Sequence, residues 1–196
     1  MIQNLHPYDI LALGSVVRWH TLRTARAQTL ADHKARVALL AVWLGHRLPV
    51  GRFEAHVELA LLRLALLHDI PETQFGDVPN PSKQTLNRLE TMDYDAVVDG
   101  VFWQARGVEN PMATAHNLPL SLLKIADVLE AAAFYWTEGL TMRRPGTGHL
   151  PTAIVREALV VVQRELPELL NASEEVLAAA DVPENLLEQL RGEQVA

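Results

Sequence analysis

Residues 59–72 read LALLRLALLHDIPE. From Leu59 to Leu67 the run is apolar apart from Arg63. On a 3.6-residue helix, Leu59, Leu62 and Leu66 fall on one side, with Leu61 and Leu64 on another. Apolar residues on several faces predict a central, buried helix, which we place at about Phe53–His68. His68 and Asp69 end it. Burying charge is costly unless the charge is paired or bound to metal. Adjacent side chains on a helix diverge by about 100°, but a helix end relaxes this and lets both point at one ion. Taken alone, the pair equally fits a helix cap with a surface carboxylate.

Working outward, helices are predicted almost everywhere. A short one spans Pro7 to about Ser15, and the Arg-rich segment Val17–Leu30 reads as irregular. Thr29 is placed to cap a second helix, with Asp32 three residues on in a capping-box position. Val37, Leu40, Ala41 and Leu44 then repeat at helical spacing, and Pro49 follows the end. GDVPNPS (76–82) is a loop by its Gly and prolines. A long amphipathic helix is expected over Ser82–Ala105 and a near-uniformly apolar one over Pro119–Trp136. Glu138–Pro151 reads as a mobile loop. Two more helices, about Thr152–Leu170 and Ser173–Arg191, close the chain. Nothing alternates at period two and there is no internal repeat, so the fold class is all-α. We expect one compact helical bundle over residues 1–196, with the motif-bearing part at about 15–136 and C-terminal helices at about 152–191.

Composition narrows the functions. The chain has 196 residues, 49% of them apolar, and a net charge of −7. That is enough apolar surface for a core, and the acidic balance argues against a nucleic-acid polymer as partner. With no cysteine, disulfides, thiolate metal sites and thiol catalysis are excluded, so any metal must sit on His and carboxylate ligands. The N-terminus has no basic region followed by an apolar run, and no apolar stretch is long enough for a membrane. A cytoplasmic protein is expected, and the amphipathic helices point to a homo-oligomer.

Two other residues interrupt apolar helices. Asp127 lies in LLKIADVLEAAAF, with Leu123 and Ala131 putting its face against the core. A carboxylate there wants a cation, whether a metal, a core Arg or a helix N-terminus. His33 shares a face with Val37, Leu40 and Leu44; alone it also fits a satisfied core histidine. Together His33, His68, Asp69 and Asp127 offer two imidazoles and two carboxylates from three helices. That set suits one divalent ion (Co, Mn or Zn, with Mg as a further option) with positions left open for water and substrate.

The order H…HD…D resembles the HD-domain phosphohydrolases. The likeness extends to the small members that hydrolyse deoxynucleotides: bacterial 5′-deoxynucleotidases and phage dATP triphosphohydrolases. It is carried by Arg18-Trp19, Ala31-Asp32-His33, HDIPE (68–72), GDVPNPSK (76–83) and LKIAD (123–127). The resemblance implies an HD-type fold and an acid/base pair of Glu72 and Asp77. It also implies that Arg18 holds phosphate and Trp19 lines the sugar. Metal can lower the pKa of bound water to about 7, and two carboxylates in different surroundings can divide acid and base duties. Arg18, Arg23, Arg26, Lys34 and Arg36 form a basic island against the single acid Asp32, fit for an anionic ligand. Lys34 and Arg36 read as solvated surface. Lys83 and Lys124, next to motif carboxylates, are further substrate-binding candidates. Residues 141–150, TMRRPGTGHL, lack the ending of a P-loop.

The expected function is hydrolysis of a 2′-deoxynucleotide at the α-phosphate, of the dATP triphosphohydrolase kind, giving deoxynucleoside plus tripolyphosphate. The lean toward the phage type comes from RWHTLRTARAQTLADH, where His20 stands in place of the proline expected in the monophosphatase pattern. The alternative is a 5′-deoxynucleotidase acting on monophosphates. A non-catalytic nucleotide-binding HD protein is a remote third. Two-metal phosphodiesterases and di-iron oxygenases need further His ligands, and only His116 lies between Asp69 and Asp127.

Overall fold

The computed structural model describes residues 5–90, 93–140, 143–144 and 148–195. Its elements in order are α1 (Pro7–Leu11), β1 (Val17–Arg18), β2 (Gln28–Thr29), α2 (Leu30–Gly45), α3 (Ala55–Leu67), α4 (Glu72–Phe75) and α5 (Asn80–Glu90). Then come α6 (Tyr94–Ala105), α7 (Asn117–Glu138), β3 (Arg143–Arg144), β4 (Gly148–His149), α8 (Leu150–Glu165), α9 (Leu170–Ala179) and α10 (Glu184–Val195). The all-α expectation holds. The strands are two-residue ribbons, β1 antiparallel to β2 and β3 antiparallel to β4. Among the described residues no helix is long and apolar enough to cross a membrane.

α7 is the axis of the bundle and packs against α2, α3, α8 and α9. Val37, Ala41 and Leu44 of α2, Leu61 and Leu64 of α3, Leu122, Ile125 and Leu129 of α7, and Leu159 of α8 share one core. The capping box at Thr29 is present: its hydroxyl accepts from Asp32 N–H at 3.1 Å, and the Asp32 carboxylate accepts from Thr29 N–H at 3.2 Å. Starting α2 there sets the rotation that turns His33 inward. The segment 19–27, between the first two strands, is tied to the end of α7 by Ala25 N–H to Glu138 C=O (2.6 Å) and Leu140 N–H to Arg23 C=O (2.8 Å).

Several boundaries differ from expectation, each for a local reason. The single helix over Ser82–Ala105 is two. Asp93 caps a new start, its carboxylate accepting from the N–H groups of Asp95 and Ala96; residues 91–92 lie outside the described set. α8 begins at Leu150, inside the predicted loop, because His149 accepts from Thr152 N–H and caps it. The rest of that loop, which was expected to be mobile, lies partly outside the described residues. The last two predicted helices become α8, a 3₁₀ turn at Pro167–Leu169, α9 and α10. Pro167 and Pro183 lack the N–H that would continue a helix across them.

Candidate metal centre and active site

Three elements converge on one point. His33 comes from the first turn of α2, His68 and Asp69 from the end of α3, and Asp127 from the middle of α7. His33 Nε2 lies 3.0 Å from Asp127 Oδ1 and 3.5 Å from Asp69 Oδ2, and His68 Nε2 lies 3.1 Å from Asp69 Oδ2. Ligand atoms of His33, His68 and Asp127 all fall within 4.8 Å of one another. The far ring nitrogens are fixed. His33 Nδ1 donates to Glu130 Oε2 at 2.7 Å, and His68 Nδ1 to Ala65 C=O at 2.9 Å. Each such bond turns Nε2 toward the cluster, as outer partners of metal-bound histidines do. Both Nε2 atoms are buried and neither makes a hydrogen bond. Two buried imidazole nitrogens facing two carboxylates have the donor set of a divalent-cation site.

The electrostatics agree. Burial opposes charge on His33, but the Asp127 and Glu130 carboxylates outweigh it and push the imidazole up to about 9. Burial likewise opposes ionisation of Asp69 and Asp127. The charge of His68 prevails at Asp69, and the close approach of the His33 imidazole, 3.0 Å away, at Asp127, so both stay below the ordinary carboxylate range. The proton on His33 occupies the place a metal would take.

Beside the cluster opens a cavity of ≈ 190 Å³ lined by His68, Asp69, Glu72, Lys83, Asp95 and Asp127 among others. Glu72, on α4, is pushed up to about 9 by burial and by the charge of Asp69, against the pull of Lys83. Lys83 Nζ lies 3.5 Å from Glu72 Oε1 and 2.9 Å from Asp95 Oδ1. Burial disfavours its charge, yet Glu72 and Asp95 raise its pKa above the ordinary lysine value. Asp77 follows Gly76, whose φ of 80° suits glycine. Its Oδ2 lies 3.8 Å from His20 Nδ1. Arg18 Nη1 lies 3.7 Å from Glu130 Oε2 and 3.5 Å from Gln28 Oε1. Its guanidinium charge is reinforced, against burial, by Asp127, Asp69 and Asp77. Trp19 takes a left-handed backbone (φ 63°) and stacks on Phe134 with ring centroids 6.1 Å apart.

Of the residues expected from sequence, His33, His68, Asp69 and Asp127 come together, with Glu72, Lys83, Arg18 and Asp77 around them. Lys124 does not join them. It is half-exposed on α7, and its Nζ is bound to Glu165 Oε1 of α8 at 2.8 Å, so that carboxylate holds it away from the cavity. Lys34 is not solvated surface: it is 2% exposed, and its ammonium makes no hydrogen bond. Arg36 is half-exposed, as expected. Sequence reasoning missed Glu130, Gln28 and the proximity of His20 to Asp77. Glu130 carried the same signal as Asp127, a carboxylate inside LKIADVLEAAAF one turn further on.

A helical bundle that brings H…HD…D to one point beside an acid-lined cavity has the architecture of the HD-type phosphohydrolases. Residues 9–97 match the family model described as 5′-deoxynucleotidase YfbR-like. The dATP triphosphohydrolase of Salmonella phage PMBT28 is 32% identical over 154 residues, 76% of this chain and 71% of that protein. The dATP triphosphohydrolase of cyanophage S-2L is 27% identical over 150 residues, 76% of this chain and 80% of that protein. The 5′-deoxynucleotidase YfbR of Escherichia coli K12 is 28% identical over 128 residues, 60% of this chain and 64% of that protein. The solved structure of the cyanophage S-2L HD phosphohydrolase DatZ, bound to dA and one catalytic Zn²⁺ ion, matches the fold. Its TM-score is 0.69 at 21% identity, covering 89% of this chain and 98% of that one. The chain therefore belongs to the HD-domain phosphohydrolase family that includes the phage dATP triphosphohydrolases and the YfbR-like 5′-deoxynucleotidases.

Proposed function

We propose that the protein hydrolyses a deoxynucleoside triphosphate, dATP or a related purine, at the α-phosphate, releasing deoxynucleoside and tripolyphosphate. The observation that carries this is the pair of orphaned Nε2 atoms, on His33 and His68, set against Asp69 and Asp127 beside the Glu72–Lys83 cavity. The similarity to phage dATP triphosphohydrolases supports the choice of substrate.

His33, His68, Asp69 and Asp127 would hold one divalent ion, of the Zn, Mn or Co kind. When bound, the ion supplies Lewis-acid charge to water and phosphoryl oxygens and offsets the Asp69 charge that helps to raise Glu72. Glu72 orients the attacking water and accepts its proton. Arg18 holds the α-phosphate, and Trp19 packs against the deoxyribose. The phosphorus–O5′ bond breaks, and Asp77 delivers a proton to the departing O5′ of the nucleoside. Lys83 meets the added negative charge of the β- and γ-phosphates. The working form is a cytoplasmic homo-oligomer, a reading supported by the exposed side chains of Leu39, Leu59 and Leu66 and checked by the mass of the native species in solution.

The test is to incubate the metal-loaded protein separately with dATP and dAMP and to identify the phosphorus products by ³¹P NMR. Tripolyphosphate with deoxyadenosine is expected. Pyrophosphate with dAMP would overturn the geometry. Orthophosphate from dAMP, with dATP inert, would establish the second reading, a 5′-deoxynucleotidase, which the family-model match over residues 9–97 favours.

A further inference from the structure

We propose that Gln28 and Glu130 are positioning residues that join the nucleoside shelf of Arg18 and Trp19 to the metal centre, so that one buried hydrogen-bonded chain sets both sugar selectivity and metal affinity. The inference rests on the shelf assignment above; its metal arm does not.

The chain is continuous and short at every step. Trp19 Nε1 donates to Gln28 Oε1 at 2.8 Å, Gln28 Nε2 donates to Glu130 Oε1 at 2.7 Å, and Glu130 Oε2 accepts from His33 Nδ1 at 2.7 Å. His33 Nε2 then faces Asp127 and Asp69. Gln28 is 1% exposed, Glu130 4% and His33 0%, so water does not compete for these bonds. Gln28 and Glu130, like Arg18 and Trp19, lie outside the lining of the cavity beside the cluster.

The chemistry leaves Gln28 one orientation. Its Oε1 meets the donors of Trp19 and Arg18, so its Nε2 must face Glu130. A flipped amide would put N–H against N–H and oxygen against carboxylate, and each buried mismatch costs about 1–3 kcal/mol. Glu130 is similarly committed: besides Gln28 and His33 it has Arg18 at 3.7 Å and Arg36 at 3.6 Å. Trp19 holds a strained φ of 63°, and its indole N–H is the bond that ties it to this frame. Phe134 and Tyr135 hold the face of the Trp19 ring, and the Gln28 amide links its indole N–H to the carboxylate that orients His33.

The experiment measures zinc affinity of the EDTA-stripped protein by competition with a chromophoric chelator, alongside the ratio of kcat/KM for dATP over ATP. Removing a direct outer partner of a metal-bound histidine costs about 10- to 100-fold in affinity, which is expected for Glu130→Gln. Gln28→Met, similar in size but unable to bond, should weaken zinc measurably but less than Glu130→Gln does, and lower the dATP/ATP ratio in the same protein. Gln28→Asn, which keeps the amide on a shorter stem, should fall between Gln28→Met and wild type. Trp19→Phe should shift the ratio most and zinc least. Wild-type zinc affinity in folded Gln28→Met, with Glu130→Gln weakened, would break the chain at Gln28 and overturn the proposal; so would weakened zinc with an unchanged ratio. If wild type binds zinc but hydrolyses neither nucleotide, the proposed function fails, and the zinc series still decides whether the chain exists. Circular dichroism spectra establish which variants are folded.

Discussion

Lys34 sits on α2 beside His33, almost fully buried, with no hydrogen-bond partner for its ammonium. Burial lowers its pKa to about 8, against the opposing pull of Asp69 and Glu72. A lysine whose folded pKa lies below its unfolded value of 10.5 costs stability in full below about pH 8, and the cost fades as pH rises to 10.5. Lys34→Met should therefore stabilise the metal-free protein at neutral pH by about 2 kcal/mol, or ~4–8 °C in Tm. It should also slow turnover, because Asp69 and Glu72 lose a nearby positive charge. A thermal melt with an unchanged or lower Tm would refute the burial argument. At Glu72 the expectation is different. Glu72→Ala should bind metal normally and lose about 10²–10⁴ in kcat, the usual share of a general base; a metal-replete variant turning over at the wild-type rate would reduce Glu72 to a lining residue. The convergence of His33, His68, Asp69 and Asp127 was legible because each polar side chain interrupts an apolar helix. Lys34 was not, because a lysine near other basic residues in a linear sequence looks like solvated surface. Its burial depends on the later arrival of Asp69 and Glu72.

At the scale of elements, periodicity located the helices and local capping chemistry set their ends. Thr29-Leu30-Ala31-Asp32 is a signal contained in four residues, and the capping box it predicts is present. The break between α5 and α6 is different. Amphipathic spacing continues across it, and the extended backbone of Asp93, with its carboxylate accepting from Asp95 and Ala96 N–H, reveals a new start. That break matters because it angles Asp95 toward Lys83, 2.9 Å away, at the rim of the cavity. Asp93→Ala should destabilise the fold by about 1 kcal/mol, the usual worth of such a cap, read as a lower urea midpoint at constant slope. It should also raise KM for a triphosphate more than kcat falls, because Lys83 loses its frame. An unaltered midpoint and KM would mean that α6 starts there without help from the side chain. The β1–β2 ribbon was invisible for a related reason. Two-residue strands carry no alternation, yet this ribbon brings Arg18 alongside Gln28.

For the whole molecule, the His33–His68–Asp69–Asp127 cluster is where polar groups of α2, α3 and α7 meet beside the shared core. Without metal, two groups there favour their protonated forms: His33 is raised from 6.5 to about 9 and Glu72 from 4.5 to about 9. A raised folded pKa contributes stability that is present below the unfolded value and lost as pH climbs through the folded one. The stripped protein should therefore lose Tm steadily from about pH 5 to about pH 8, before relief at Lys34 begins to offset the fall. A metal must displace the His33 proton, so its affinity should weaken by about tenfold for each unit of pH below about 9, with proton uptake or release measurable in a weakly buffered titration. Because the ion binds only when three helices converge, zinc at 100 times its Kd should add about 2.7 kcal/mol of stability. Asp69→Ala removes both a ligand and its charge, and should abolish that increment together with activity. A metal-dependent rise in Tm persisting at full size in Asp69→Ala would mean that the ion stabilises the bundle from somewhere other than the convergence of α2, α3 and α7.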